Sequence, residues 1–230
     1  MLGLIVSLLI CFGIPIGGFI YFKRKRDGYG RLFLIGVVTF VVSQIILRIP
    51  LLAILSEVNW FISFQLQSPF LFLFVVGGIS AGIFEEVARY IGLRIGYKKR
   101  WRFMDAVALG LGHGGIEAIL LVGINHIAIV FLFDDISAYS NEILLASFER
   151  LFLMVAHIAF TIILLYFMKK SPLLAIAVAT IAHAIYNFTA VAVMTTTQNL
   201  ILTLLTIIGL TCILAFICYK IKDRFDEETD

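Results

Sequence analysis

Short stretches of the sequence place acids and imidazoles inside runs that are otherwise apolar. They are FEEVARY at 84–90, GLGHGGIEA at 110–118, VAHIAFT at 155–161 and HAIYN at 183–187. A charged residue at the centre of a membrane helix costs about 2.5–3.5 kcal/mol on insertion scales. Such residues are therefore expected to have a role that compensates for this cost. Carboxylates and histidines are the usual general acids and bases of enzymes. The pattern therefore indicates a buried site for acid–base chemistry.

The ionisable residues in these stretches share one depth. At about 1.5 Å per residue from the basic end of each span, Glu85 lies roughly 18 Å deep, His113 roughly 15 Å and Glu117 roughly 21 Å. His157 and His183 both lie roughly 17 Å deep by the same rise. Polar residues scattered for packing would not share a depth, so we expect one site near the membrane midplane.

The rest of the chain provides apolar spans that position these residues. Of 230 residues, 61% are hydrophobic and 14% are charged, which is typical of an integral membrane protein and excludes a soluble domain. Spans that can cross a bilayer need about 20 residues, and we assign them to 2–22, 32–54, 69–96, 103–133, 149–168, 172–194 and 200–220. We expect an all-α bundle of about seven transmembrane helices in a single domain, 1–230, with a catalytic core at about 69–194. The third and fourth spans are long enough to continue past the bilayer or to contain a break.

Basic residues alternate between the connections. They crowd KRKRDGYGR, YKKRWR, MKKSP and YKIKDRF, whereas SEVNWFISFQLQSP, DDISAYSNE and TTTQN contain none. By the positive-inside rule we expect a multi-pass cell-membrane protein with its N-terminus outside and a cytoplasmic tail at 221–230. The first apolar run precedes its basic residues, which predicts an uncleaved helix rather than a signal peptide. The aromatic WFISF segment could lie at the membrane interface. The cysteines Cys11, Cys212 and Cys218 lie in apolar runs, so we expect neither a disulfide nor a cysteine metal site.

The paired glutamates have a structural explanation and a functional one. Arg89 follows Glu85 by four residues and Glu86 by three, so an ion pair could simply join two helices. One arginine cannot neutralise two carboxylates, however. The remaining carboxylate is suited to act as a general base.

The histidines also have two explanations. His113 and Glu117 lie on one face of the fourth span, as do His183 and Asn187 on the sixth. Each could serve only to form hydrogen bonds between helices, and His157 stands alone. An imidazole beside a carboxamide can instead donate two hydrogen bonds to an oxyanion.

Other polar residues of the spans have a structural explanation. Gly110 and Gly114 allow a neighbouring backbone to approach closely. His126 and Arg48 lie towards the outer ends of their spans. We expect Arg48 to extend to the interface or to pair with an acid such as Glu149.

These motifs resemble those of glutamic-type intramembrane proteases, the superfamily of CAAX prenyl proteases and bacteriocin-processing enzymes with PrsW-type and YhfC-type relatives. The superfamily pattern is EExxxR, then FxxxH, then HxxxN or HxxxD. EEVAR carries the paired glutamates with its arginine one residue nearer, as in the PrsW-type EExxK. HGGIE is similar to the PrsW-type FAxxE, HIAFT to HxxxT, and HAIYN to HxxxN. The chain as a whole is most similar to the small YhfC-type members.

The resemblance implies a role for each matching residue. Glu85 would activate water, and Glu86 or Arg89 would orient it. His183 and Asn187 would stabilise the oxyanion. The position aligned with the second-motif histidine is Glu117, and we assign that role to His113. Glu117 and His157 would then support the site with Arg89.

The favoured function is an endopeptidase that cleaves a membrane-embedded or membrane-proximal peptide, with the lipid bilayer but no nucleic acid as a partner. The alternatives are a zinc-dependent intramembrane metalloprotease, a non-enzymatic proton-coupled transporter or sensor, and a membrane scaffold. Transporters of this kind contain inverted repeats, and we detect none between the halves. Zinc would accept two or three histidines and a carboxylate. Since no helix contributes two histidines at the shared depth, we expect hydrolysis without a bound metal.

Overall fold

The apolar spans fold as long helices. The computed structural model describes residues 2–96, 102–132 and 139–227. Its helices are α1 (Leu2–Lys25), α2 (Tyr29–Leu55), α3 (Asn59–Gln67), α4 (Pro69–Gly96), α5 (Phe103–Leu132), α6 (Ser140–Met168), α7 (Pro172–Thr197) and α8 (Leu200–Glu227). Within the described residues, seven of these helices are long and apolar enough to cross a membrane. The predicted helical bundle is therefore confirmed.

Most helices extend beyond the predicted apolar spans. The largest difference is at α6, which begins at Ser140 rather than at 149. Its first residues, SNE, are polar and do not count towards an apolar run, yet they form the first helical turn. The WFISF segment lies in the short helix α3 between α2 and α4.

The two longest predicted spans each contain an irregular turn. A π-helical segment occupies Leu73–Ile79 in α4, and another occupies Ala118–Gly123 in α5. Similar segments interrupt α1 and α2. A π-helical turn contains an extra residue and therefore rotates the face that follows it. Both long helices continue through these turns, so the expected break takes the form of a local irregularity and not of an interruption. In α4 and α5 the irregular turns adjoin the stretches that contain Glu85 and Glu117.

Helix α5 packs closely between α2 and α6 because its glycines permit close contacts. A Cβ on Gly110 would lie 2.5 Å from the Cα of Ile158, and one on Gly114 would lie 3.0 Å from the Cα of Met154. On its other face, a Cβ on Gly112 would lie 2.1 Å from the Phe33 carbonyl oxygen in α2. The close approach predicted for Gly110 and Gly114 is confirmed.

Gly36 of α2 gives a test of this packing. A Cβ at Gly36 would lie 2.1 Å from the Leu109 carbonyl oxygen, and a backbone atom in a helix cannot move aside easily. We expect Gly36→Ala to destabilise the protein by about 1–3 kcal/mol, measured by thermal unfolding in detergent. Gly17→Ala is the matched control, because no atom lies within 4 Å of its added Cβ. Equal stability of the two variants would contradict this packing.

The orientation in the membrane stays a prediction that reporter fusions can test. A fusion at Asp134, which lies outside the described residues, should report the outer side. A fusion at Lys170, after α6, should report the cytoplasm, because basic residues surround it. Location of both reporters on the same side would contradict the predicted topology.

Candidate functional site

One carboxylate oxygen lies among three imidazoles and a guanidinium. Glu85 Oε2 is 3.0 Å from His113 Nε2, and 3.8 Å from both His157 Nδ1 and His183 Nε2. Arg89 Nη2 donates a hydrogen bond to the same oxygen at 3.1 Å. The residues come from the four helices α4 to α7, and none is more than 4% exposed. Residues separated widely in sequence therefore meet at one point inside the bundle.

The outer nitrogen of His113 is fixed by Thr39. The Thr39 hydroxyl donates to the Gly36 carbonyl at 2.7 Å, and its oxygen lies 3.0 Å from His113 Nδ1. Because the hydroxyl hydrogen is already used, Thr39 accepts from His113, so the neutral ring carries its hydrogen on Nδ1. The lone pair of Nε2 then points at Glu85.

His157 is fixed by partners on both sides. Arg89 Nη2 lies 2.7 Å from Nδ1, and a guanidinium can only donate, so Nδ1 carries a lone pair. Nε2 therefore carries the hydrogen and donates it to Glu117 Oε2 at 2.5 Å. Arg150 Nη1 donates to the other Glu117 oxygen at 3.0 Å. The inner nitrogen of His157 is thus a lone pair that faces the centre.

The outer nitrogen of His183 meets the second glutamate. Nδ1 lies 3.0 Å from Glu86 Oε1, and an ionised carboxylate can only accept, so Nδ1 carries the hydrogen. The inner nitrogen Nε2 is left with its lone pair. Arg89 also donates to Glu86 Oε1, while Glu86 Oε2 is buried without a hydrogen-bond partner among the described residues.

This arrangement suits a metal ion. Three imidazole lone pairs and one carboxylate oxygen converge, and each outer nitrogen is bound to a hydroxyl or carboxylate, as is usual for metal-binding histidines. Two lone pairs would repel each other across the 3.0 Å between His113 and Glu85 unless a proton or a cation lay between them. Ligand atoms of Glu85, His113 and His157 lie within 4.8 Å of one another, and zinc accepts such a set. The donor chemistry therefore fits zinc once Arg89 Nη2 turns away from both His157 Nδ1 and Glu85 Oε2.

Several contacts were not predicted from the sequence. Gln44 donates to Glu85 Oε1 at 2.5 Å, and Arg48 donates to Gln44 at 3.1 Å. Of the two options for Arg48, the pairing with Glu149 is wrong: Arg48 binds the Ser80 hydroxyl and the Val76 carbonyl, because α2 packs on α4. The spacing of Gln44 and Arg48, four residues apart within an apolar span, is the signal that could have indicated this pair.

Two predicted residues lie apart from the convergence. Asn187, one turn after His183, is half-buried and forms no described hydrogen bond with the site residues. His126 contacts the Ser7 hydroxyl at 2.6 Å, which agrees with its expected structural role. The other predicted residues are in contact with the site: Glu85, Glu86, Arg89, His113, Glu117, His157 and His183.

Known proteins resemble this chain over most of its length. Residues 10–140 match the family described as YhfC intramembrane metalloprotease, and this match includes Glu85, Glu86 and His113. The uncharacterized membrane protein YhfC of Bacillus subtilis (strain 168) is 30% identical over 214 residues, which cover 82% of this chain and 83% of that protein. No solved structure matches. The chain therefore belongs to the YhfC intramembrane metalloprotease family.

Proposed function

We propose that this protein is an intramembrane endopeptidase with a zinc ion held by Glu85, His113 and His157. The convergence of three imidazole nitrogens on Glu85 Oε2 is the observation that supports it most. The family description also names a metalloprotease. Both favour zinc over the metal-free site expected from the sequence, and His183 Nε2 could provide a further ligand.

Side chains other than the proposed zinc ligands would transfer the protons and stabilise the oxyanion. When bound, zinc supplies a Lewis acid that polarises the scissile carbonyl and activates water. Glu86 Oε2 has no hydrogen-bond partner among the described residues and can accept the proton of the attacking water. The same carboxyl then returns that proton to the leaving amine. The oxyanion role of Asn187 rests on the resemblance alone, because its amide lies one turn from His183 and forms no described hydrogen bond with the site residues.

A metal-free version of the same reaction rests on Arg89. Its guanidinium already lies 3.1 Å from Glu85 Oε2 and 2.7 Å from His157 Nδ1, so it supplies a cation at the centre of the site. In this version Glu85 itself would be the base that activates water, within a glutamic-type protease. His183 favours the zinc version, because its assigned tautomer has no hydrogen on Nε2 to donate to an oxyanion.

An apolar groove suits a membrane-embedded substrate. A cavity of about 390 Å³ lies between α2 and α4, and its lining includes Val38, Thr39, Ile83 and Ile91. Three of these side chains are exposed on the lipid-facing surface. Thr39 is hydrogen-bonded to His113. An apolar peptide segment could thus approach the site from the lipid.

Proteolysis by the purified protein tests this function. The protein would be reconstituted in liposomes with tagged single-span peptides, and the products identified by mass spectrometry. We expect two fragments whose masses add up to that of the substrate plus one water. Intact substrates together with proton flux that depends on Glu85 would favour the transporter alternative instead.

A further inference from the structure

A row of ion-paired side chains extends from the site along α5 and α6. Glu117 binds His157 at the site and Arg150 on its other side, and Arg150 binds Glu149. The exposed fraction of the side chain rises along this row, from 1% at His157 to 11% at Glu117, 13% at Arg150 and 37% at Glu149. This row of ion pairs therefore connects the buried site with an exposed carboxylate.

A second row of hydrogen-bonded side chains extends from the site in the same direction. Glu85 Oε1 accepts from Gln44, which accepts from Arg48, and Arg48 reaches Ser80 and the Val76 carbonyl. Helix α2 ends at the same end of the bundle at which α4 and α6 begin. The hydrogen bonds from Glu85 to Ser80 and the ion pairs from Glu117 to Glu149 therefore lie in the same half of the bundle.

The opposite half of the bundle is apolar and closely packed. After His157, α6 continues with Phe160, Ile162, Ile163, Leu164 and Leu165, none more than 5% exposed. They belong to one core cluster that also contains apolar side chains of α4, α5 and α7. No row of ion pairs comparable to the one from Glu117 to Glu149 crosses this apolar part of α6 among the described residues.

Glu149 is paired with Arg150 on one side, but the exposed 37% of its side chain needs a polar environment. It lies roughly 14 Å along α6 from Ser140, which places it inside a hydrocarbon layer of about 30 Å if the helix is centred. A carboxylate facing lipid there would cost several kcal/mol, whereas one that lines an aqueous cavity would not.

We propose that water reaches the site from the end of the bundle where α4 and α6 begin, along Glu149, Arg150 and Glu117. This inference rests on the proposed function, since hydrolysis consumes one water for each bond broken. The route also sets the side: with the orientation predicted from the basic loops, the site opens to the outside of the cell.

Cysteine labelling tests the route without any need for catalysis. In a background without the native cysteines, Glu149→Cys would be exposed to a charged, membrane-impermeant thiol reagent in oriented vesicles. Phe148→Cys is the matched control, because Phe148 is the adjacent residue, is exposed and apolar, and points about 100° away around the helix. Asn141→Cys and Lys170→Cys mark the two membrane faces. We expect Glu149→Cys to react at least about tenfold faster than the control and from the Asn141 face, since thiols react as thiolates, which form in water.

The outcomes are distinct. Labelling of Glu149→Cys at the rate of Phe148→Cys, or from the Lys170 face, would overturn the route. If the loss of Glu149 prevents folding, Leu145→Cys, one turn earlier on the same helical face, keeps the ion pair and should show the same sidedness. Rapid labelling in a protein that cleaves no substrate would support the route while contradicting the protease function.

Discussion

Replacement of Glu85 by glutamine should abolish peptide cleavage, lowering kcat/KM by about a thousandfold or more. Glutamine keeps the size of the side chain and its contact with Gln44 but removes the negative charge. Glu85 Oε2 has three imidazoles and Arg89 as neighbours, so no other residue can take its place. The loss is expected whether Glu85 binds zinc or acts as the base. The measurement is the rate of fragment release in the liposome assay.

The matched control is Glu142→Gln, which makes the same chemical change at an exposed position in the first turn of α6. It should cleave at the wild-type rate. If Glu85→Gln kept most of the activity of this control, the site would not be where hydrolysis occurs. The zinc content of Glu85→Gln then separates the two versions, because only loss of a ligand lowers it.

Purified active protein should contain one zinc ion per chain. A chelator should remove both zinc and activity, and added zinc should restore both, because in the proposed function the ion held by Glu85, His113 and His157 takes part in hydrolysis. His157→Ala and His113→Ala should each lose most of the bound zinc, measured by elemental analysis. Full activity in metal-free protein would instead establish the version in which Glu85 is the base.

The contact between Thr39 and His113 allows a finer test of the same prediction. Thr39→Val keeps the shape of the side chain but removes the acceptor that fixes His113 Nδ1. Loss of such an outer partner lowers metal affinity by about 10–100-fold. Thr196→Val is a suitable control, because the Thr196 hydroxyl bonds only to its own helix at an exposed position. Unchanged zinc affinity in Thr39→Val would contradict the assigned tautomer.

Much of the site could be predicted from depth alone. Glu85, His113, His157 and His183 lie at one level in the sequence estimate, and the structure brings them together. A depth estimate works because the rise per residue is constant along a helix. It needs no knowledge of which helices are neighbours.

The remaining contacts depend on how the helices are rotated and paired, which spacing within one helix does not determine. Arg48 could reach α4 or α6 from its sequence position, and only the packing of α2 on α4 selects Ser80. Thr39 is a common residue in an apolar run and becomes informative only when His113 lies 3.0 Å away. The π-helical turns add further rotation that no spacing rule contains.

The site takes its groups from α4, α5, α6 and α7, and this distribution matters during biosynthesis. His183 is the last of these residues to leave the ribosome. Until α7 has inserted and packed, Glu85 and Glu86 lack one of their imidazole partners. A chain that ends before α7 would therefore contain the proposed ligands Glu85, His113 and His157 but would leave Glu86 without its contact to His183. Under the proposed function we expect such a chain to cleave more slowly than the folded bundle, which would limit cleavage of neighbouring membrane proteins during synthesis.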